Sequence, residues 1–99
     1  MVTVITHVAL KDGESTEWDA AMHDRLAAAK GQPGWIGGQL LKPLDDERAR
    51  VIVGTWESRA AWESWREQDP FRETAERLEG LQAGPAQTTW YEAIEDRRG

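Results

Sequence analysis

Val2 to Leu10 (VTVITHVAL) is rich in β-branched residues and reads as a strand. Val2, Val4, Val8 and Leu10 fall on one face, Ile5 and Ala9 on the other. Lys11-Asp12-Gly13 ends it. Ser15 or Asp12 is placed to cap a helix running to about Lys30. Trp18, Met22, Leu26 and Ala29 recur at helical spacing as its apolar stripe. Gly31, Pro33 and Gly34 stop it. Trp35 to Lys42 reads as a second strand, whose Gly37-Gly38 pair predicts a bulge or a close backbone approach. Pro43 to Arg48 is a polar hairpin connection, and Arg50 to Trp56 is the third strand. Ser58 then caps a short helix ending near Gln68. Asp69 at the N-cap and Pro70 at the first helical position restart helical structure. Phe71, Ala75, Leu78 and Gln82 share one face there. Ala83 to Ala86 breaks that helix, Gln87 to Ile94 is the fourth strand, and the rest is polar.

The order is β-α-β-β-α-β, with the second helix broken at Pro70. This predicts an α+β, ferredoxin-like split βαβ fold: a four-stranded antiparallel sheet with its helices on one face. Residues 1–95 form a single domain and 96–99 a polar C-terminal tail. The strands do not alternate cleanly. Val51 and Val53 lie opposite Ile52 and Trp56, and Tyr91 and Ala93 lie opposite Trp90 and Ile94. Helices cover one side only, so the open side is expected to meet a second copy in a two-fold homodimer. The alternative is a monomer with a few exposed apolar residues. His7 falls on that open face, where an imidazole either tunes the interface by titration or sits satisfied within it.

Composition narrows the function classes. A chain of 99 residues has room for one core. Its net charge of −6 argues against nucleic acid and anionic membranes as partners, and no apolar run spans a bilayer. The absence of Cys removes disulfides and thiolate chemistry and fits a cytoplasmic protein. No basic n-region precedes the first strand, which reads against a signal peptide. Six Trp accompany one Phe and one Tyr, a skew that calls for an explanation. No phosphate loop, nucleophile elbow or paired-carboxylate motif is present, and two His on separate elements make no metal site.

Pro33-Gly34-Trp35-Ile36-Gly37-Gly38, then Val53-Gly54-Thr55-Trp56-Glu57-Ser58, Ala61-Trp62-Glu63-Ser64-Trp65 and Asp69-Pro70-Phe71 occur in order. Together they resemble the antibiotic biosynthesis monooxygenase (ABM) domain of the dimeric α/β-barrel superfamily, from Val2 to about Ile94. The resemblance implies a dimeric barrel with a pocket between helices and sheet. Some members oxidise phenols or anthrones with O2 and no cofactor, some bind and cleave heme, and others have no known activity.

Trp65 matches the Trp of the heme-cleaving members, and Trp62 sits where they carry another aromatic. Both share a helix face with Ala61, and indoles suit the walls of a planar ligand. Core packing is the competing role for each. The heme-cleaving members ligate iron through a His whose position is Ala75 here, and their strand-one Asn corresponds to Thr6. Both departures disfavour heme. Arg25 flanks the first helix's apolar stripe, placed either to meet a ligand carboxylate or phenolate or to pair with a nearby acid. His23 falls on the helix flank. Asp45-Asp46-Glu47 and Glu73, Glu76 and Glu79 read as solvated surface, with Arg66, Arg72 and Arg77 as counter-charges for the latter set.

The expectation is a cofactor-independent monooxygenase acting on a small planar aromatic. Trp65 and Thr6 are its catalytic candidates, and Trp62, Arg25, Phe71 and Ala75 its substrate-binding candidates, with no metal or cofactor. No pocket-facing base is assigned. The alternatives are a non-catalytic dimeric protein that binds a small hydrophobic molecule, and a heme-binding or heme-degrading protein. Trp18 is assigned to the core and Trp35 to the turn. Trp56 and Trp90 have no firm face, one being a candidate for the dimer interface.

Overall fold

The computed structural model describes residues 1–98. Along the chain run β1 (Val2–Ala9), α1 (Ser15–Ala29), β2 (Trp35–Leu41), β3 (Ala49–Trp56), α2 (Arg59–Arg66), α3 (Asp69–Glu79) and β4 (Gln87–Glu92). The strands form one antiparallel sheet in the order β2-β3-β1-β4. This is the ferredoxin-like arrangement, with β1, the most β-branched strand, at the centre beside β3.

Register sets the two faces. Val4 pairs with Gly54 and Trp90, and Thr6 with Ile52 and Thr88, so these side chains share the helix-covered face. Ile5 pairs with Val53 and Thr89, and Thr3 with Thr55 and Tyr91, on the open face. Trp56 and Trp90 therefore both belong to the helix side, and neither is available to the open face. His7 is exposed on the open face, and His23 is exposed on α1.

Element ends differ from the sequence reading by a residue or two. Neither Ser15 nor Asp12 caps α1. Glu14 is its N-cap, without a side-chain hydrogen bond, because Gly13 turns the chain at φ +78° and leaves Asp12 upstream of the first turn. Ser58 does cap α2, its hydroxyl accepting from the Ala61 amide at 3.1 Å. At α3 the N-cap is Gln68 rather than Asp69, with Asp69 and Pro70 both inside the first turn, where a missing amide costs nothing. β4 stops at Glu92, two residues early. The Ala93 amide donates to the Met1 carbonyl, and the following tail passes beside Thr3 and Thr55.

Two glycines are required by close approach. Gly34 has φ +85°, and a Cβ there would lie 2.5 Å from the Ala61 Cβ, so the Pro33-Gly34 turn presses directly on α2. A Cβ on Gly38 would lie 2.5 Å from Cη2 of Trp35. The Trp35 indole thus lies over the backbone at Gly38, across the register shift between Trp35 and Gly37.

The buried apolar residues form two clusters. One joins Val8 and Leu10 to Trp18, Ala21 and Met22 of α1 and Leu78 of α3. The other joins Ala29, Trp56 and Trp65. Arg50, 5% exposed, closes one end of the sheet by a two-pronged bond to Asp19, at 2.9 and 3.1 Å. That hydrogen bond, more than any other influence, holds the guanidinium above its usual pKa. No helix among the described residues is long and apolar enough to cross a membrane.

Candidate functional site

A domain of this size ordinarily builds one contiguous core. Here the two clusters flank a cavity of about 400 Å³ between the helices and the sheet. Thr6, Arg25, Trp62, Trp65, Phe71 and Ala75, the six candidates that the sequence singles out, come from β1 and all three helices and all line it.

The walls are aromatic well beyond Trp62 and Trp65. All six tryptophans reach this cavity, including Trp18 and Trp35, which the sequence assigns to core and turn, and Trp56 and Trp90, which it leaves unplaced. Trp35 meets Trp56 edge-on at 5.3 Å, Trp56 stacks near Trp65 at 6.3 Å, and Trp65 meets Phe71 edge-on at 5.7 Å. Trp62 meets Trp90 edge-on at 5.3 Å, and the Arg59 guanidinium lies 4.7 Å over the Trp90 ring. The inner rings are fixed by burial, Trp56 being 2% and Trp65 4% exposed. Trp62 and Trp90 keep part of their surface open.

Polar groups within the cavity are few. The Thr6 and Thr88 hydroxyls lie 3.1 Å apart across β1 and β4. One must donate to the other, so the pair retains one hydroxyl proton for a ligand oxygen. Gln82 faces the cavity from beyond α3, its carbonyl accepting from the Trp18 indole at 3.2 Å. Arg25 Nε donates to Thr74 Oγ1 at 2.8 Å, and its Nη2 donates to the Phe71 carbonyl at 2.9 Å. Its Cζ stands 3.9 Å from the Phe71 ring centroid. Burial lowers this guanidinium to about 10, Glu79 opposes the shift and Arg66 adds to it. Among the described residues no carboxylate comes within 4.0 Å of Arg25, so the salt bridge that its helix position allows does not form.

Glu79 adds to the sequence reading. The sequence groups it with Glu73 and Glu76 on solvated surface and predicts no pocket carboxylate. In the structure it lies one turn beyond Ala75 on α3, is exposed, and lines the cavity. The counter-charges expected for that acidic set also differ. Arg77 reaches across to Asp24 of α1 at 3.0 Å, and Arg66 and Arg72 form no ion pair among the described residues.

The residues present do not fit a ligated heme. Ala75 lines the cavity at the position where iron would need an imidazole, and both His lie exposed outside it. Among the described residues no three His, Asp or Glu side chains gather as a metal site.

The family model for antibiotic biosynthesis monooxygenases matches residues 1–77. A heme oxygenase (mycobilin-producing) of Mycobacterium tuberculosis is 31% identical over 64 residues, 65% of this chain, and the match spans only 61% of that relative's length. Among solved structures, SnoaB, a cofactor-independent oxygenase from Streptomyces nogalater, superposes with a TM-score of 0.86 at 21% identity over 96% of this chain and 94% of its own. Rv0793 from Mycobacterium tuberculosis superposes with a TM-score of 0.89 at 15% identity, over 98% of both chains. At these identities the structural likenesses establish the fold alone.

Proposed function

Since the chain belongs to the antibiotic biosynthesis monooxygenase family, we propose that it oxidises a small planar aromatic, of phenol, anthrone or quinol type, with O2 and no cofactor. The observation that carries this is the cavity, to which all six tryptophans contribute and in which polar groups are few and convergent. SnoaB, similar in fold, is a cofactor-independent oxygenase and supports the same reading.

The substrate supplies all the electrons. An anthrone loses a methylene proton, and the resulting carbanion reduces O2. One oxygen atom enters as the new carbonyl, and the other leaves as water with the two methylene hydrogens. Trp62, Trp65 and Phe71 clasp the rings, and Ala75 leaves the room a ring needs. The hydroxyl proton left over from the Thr6–Thr88 pair hydrogen-bonds the developing oxyanion. Glu79 at the cavity's edge is the carboxylate in reach as proton acceptor. Arg25 compensates negative charge. The protein works as a cytoplasmic homodimer, joined through the open sheet face.

Oxygen uptake with a panel of anthrones and hydroquinones tests the reaction. The expected result is one O2 consumed per anthrone, with turnover cut at least about tenfold when Thr6→Val and Thr88→Val are combined, since either hydroxyl alone keeps a proton to donate. Substrates that quench the tryptophans without consuming O2 would instead make this a binding protein. Hemin is expected to give no saturable 1:1 Soret change.

A further inference from the structure

Among the described residues Arg25 forms no ion pair, and it does not stand alone. The Arg66 Cζ lies 5.7 Å from the same Phe71 ring whose centroid is 3.9 Å from the Arg25 Cζ, and 5.0 Å from the Trp62 ring. Both arginines line the cavity. Two like charges thus converge on one aromatic ring, and among the described residues neither forms an ion pair. Arg66 opposes the Arg25 charge, and Glu79, a carboxylate on the same cavity, stays beyond salt-bridge distance of both.

The hydrogen bonds say which way Arg25 is aimed. Its Nε and Nη2 are committed to Thr74 and to the Phe71 carbonyl, which fixes the plane of the guanidinium. Among the described residues Nη1 has no hydrogen-bond partner. Among the described residues no fully buried side-chain nitrogen or oxygen lacks a partner, so Nη1 is solvent-accessible. A guanidinium fixed by two bonds, with donors left over, is preorganised for a planar anion.

We infer that the cavity selects a planar aromatic bearing a carboxylate, with the rings among the tryptophans and the carboxylate drawn to Arg25 and Arg66. This rests on the aromatic-pocket reading above and narrows its substrate class. A carboxylate in the same cavity turns their repulsion into a shared attraction, and its oxygens take the free Arg25 donors.

Quenching of tryptophan fluorescence by 2-naphthoate and by neutral 2-naphthalenemethanol tests it on the full chain, at pH 7 and low salt. Naphthoate is expected to bind at least roughly tenfold tighter, with the preference shrinking as salt rises. Arg25→Met should bring the acid down to the level of the alcohol while the alcohol keeps its affinity, and Arg25→Lys should restore part of the preference. Arg66→Gln alters an exposed side chain, so it reads the same preference with the fold undisturbed, and is expected to reduce it by about threefold. Equal affinities for acid and alcohol, or a preference that survives in both Arg25→Met and Arg66→Gln, would overturn the inference and leave the aromatic pocket standing. Absence of saturable binding by the acid overturns it as well, and oxygen uptake then decides the oxygenase reading on its own.

Discussion

Trp65 illustrates why a single residue here is hard to read by truncation. It is 4% exposed and sits between Trp56 and Phe71. Alanine at such a position costs about 3–5 kcal/mol, a large part of a small domain's stability, so lost turnover in Trp65→Ala would not separate chemistry from packing. Trp65→Phe keeps an aromatic wall and is expected to stay folded in a thermal melt while substrate affinity drops several-fold. Gly38→Ala drives a methyl into the Trp35 ring and should lower stability by about 1–3 kcal/mol in urea titration. Arg25 has a signed pH dependence. Its folded value, about 10, lies below the ordinary guanidinium value. The folded state therefore disfavours its charge at every pH below about 10, and that cost fades as pH rises from there toward the ordinary guanidinium value. Aromatic-acid affinity should be flat from neutral pH to about 9 and fall above about 10, as the guanidinium loses its proton. In the ligand-free protein, Arg25→Met should stay within about 1 kcal/mol of wild type, two lost hydrogen bonds being offset by the removed charge. Residue types make Trp62, Trp65 and Arg25 visible in the sequence. Glu79 is hidden by its neighbours, since one glutamate of a run at near-helical spacing looks like surface until α3 is oriented.

At the level of elements, what is legible follows from local rules. The β-branched run of β1, the Pro-Gly turn before β2, the Ser58 cap and the Asp69-Pro70 break each act within a few residues, and each lies where the sequence puts it, to within a residue or two. The face of β4 is not legible. β2 and β3 are joined by a short hairpin that carries register from one to the next, whereas β4 follows a loop and pairs with β1 across the whole chain. Nothing near Trp90 in sequence decides which way it points. The α2 cap offers a test of how far the site depends on one element. Ser58→Ala should cost about 1 kcal/mol in thermal stability. Because α2 carries both Trp62 and Trp65, the same variant should loosen ligand binding, read as a faster off-rate, although Ser58 is not among the residues lining the cavity.

The whole molecule has one sheet face covered by helices and one left open except where the tail passes beside Thr3 and Thr55. Ile5, Val51 and Val53 are only half-buried in a single protomer, and Tyr91 is 50% exposed. The proposed homodimer would sediment at twice the 11.2 kDa of the protomer. Val53→Lys, on the open side and away from the cavity, should yield a folded monomer by the same measurement, and an unaltered dimer mass would place the interface elsewhere. The long separation between β1 and β4 has a further consequence during synthesis. When a nascent chain has emerged through α3, five of its six tryptophans are out, but one edge of β1 still has no neighbour. The Thr6–Thr88 contact joins residues 82 positions apart, so that side of the cavity waits for the last strand to clear the ribosome. Until then the chain presents a β-branched edge and an unsealed aromatic hollow, the state in which a chaperone's grip or aggregation with a neighbouring nascent chain competes with completion.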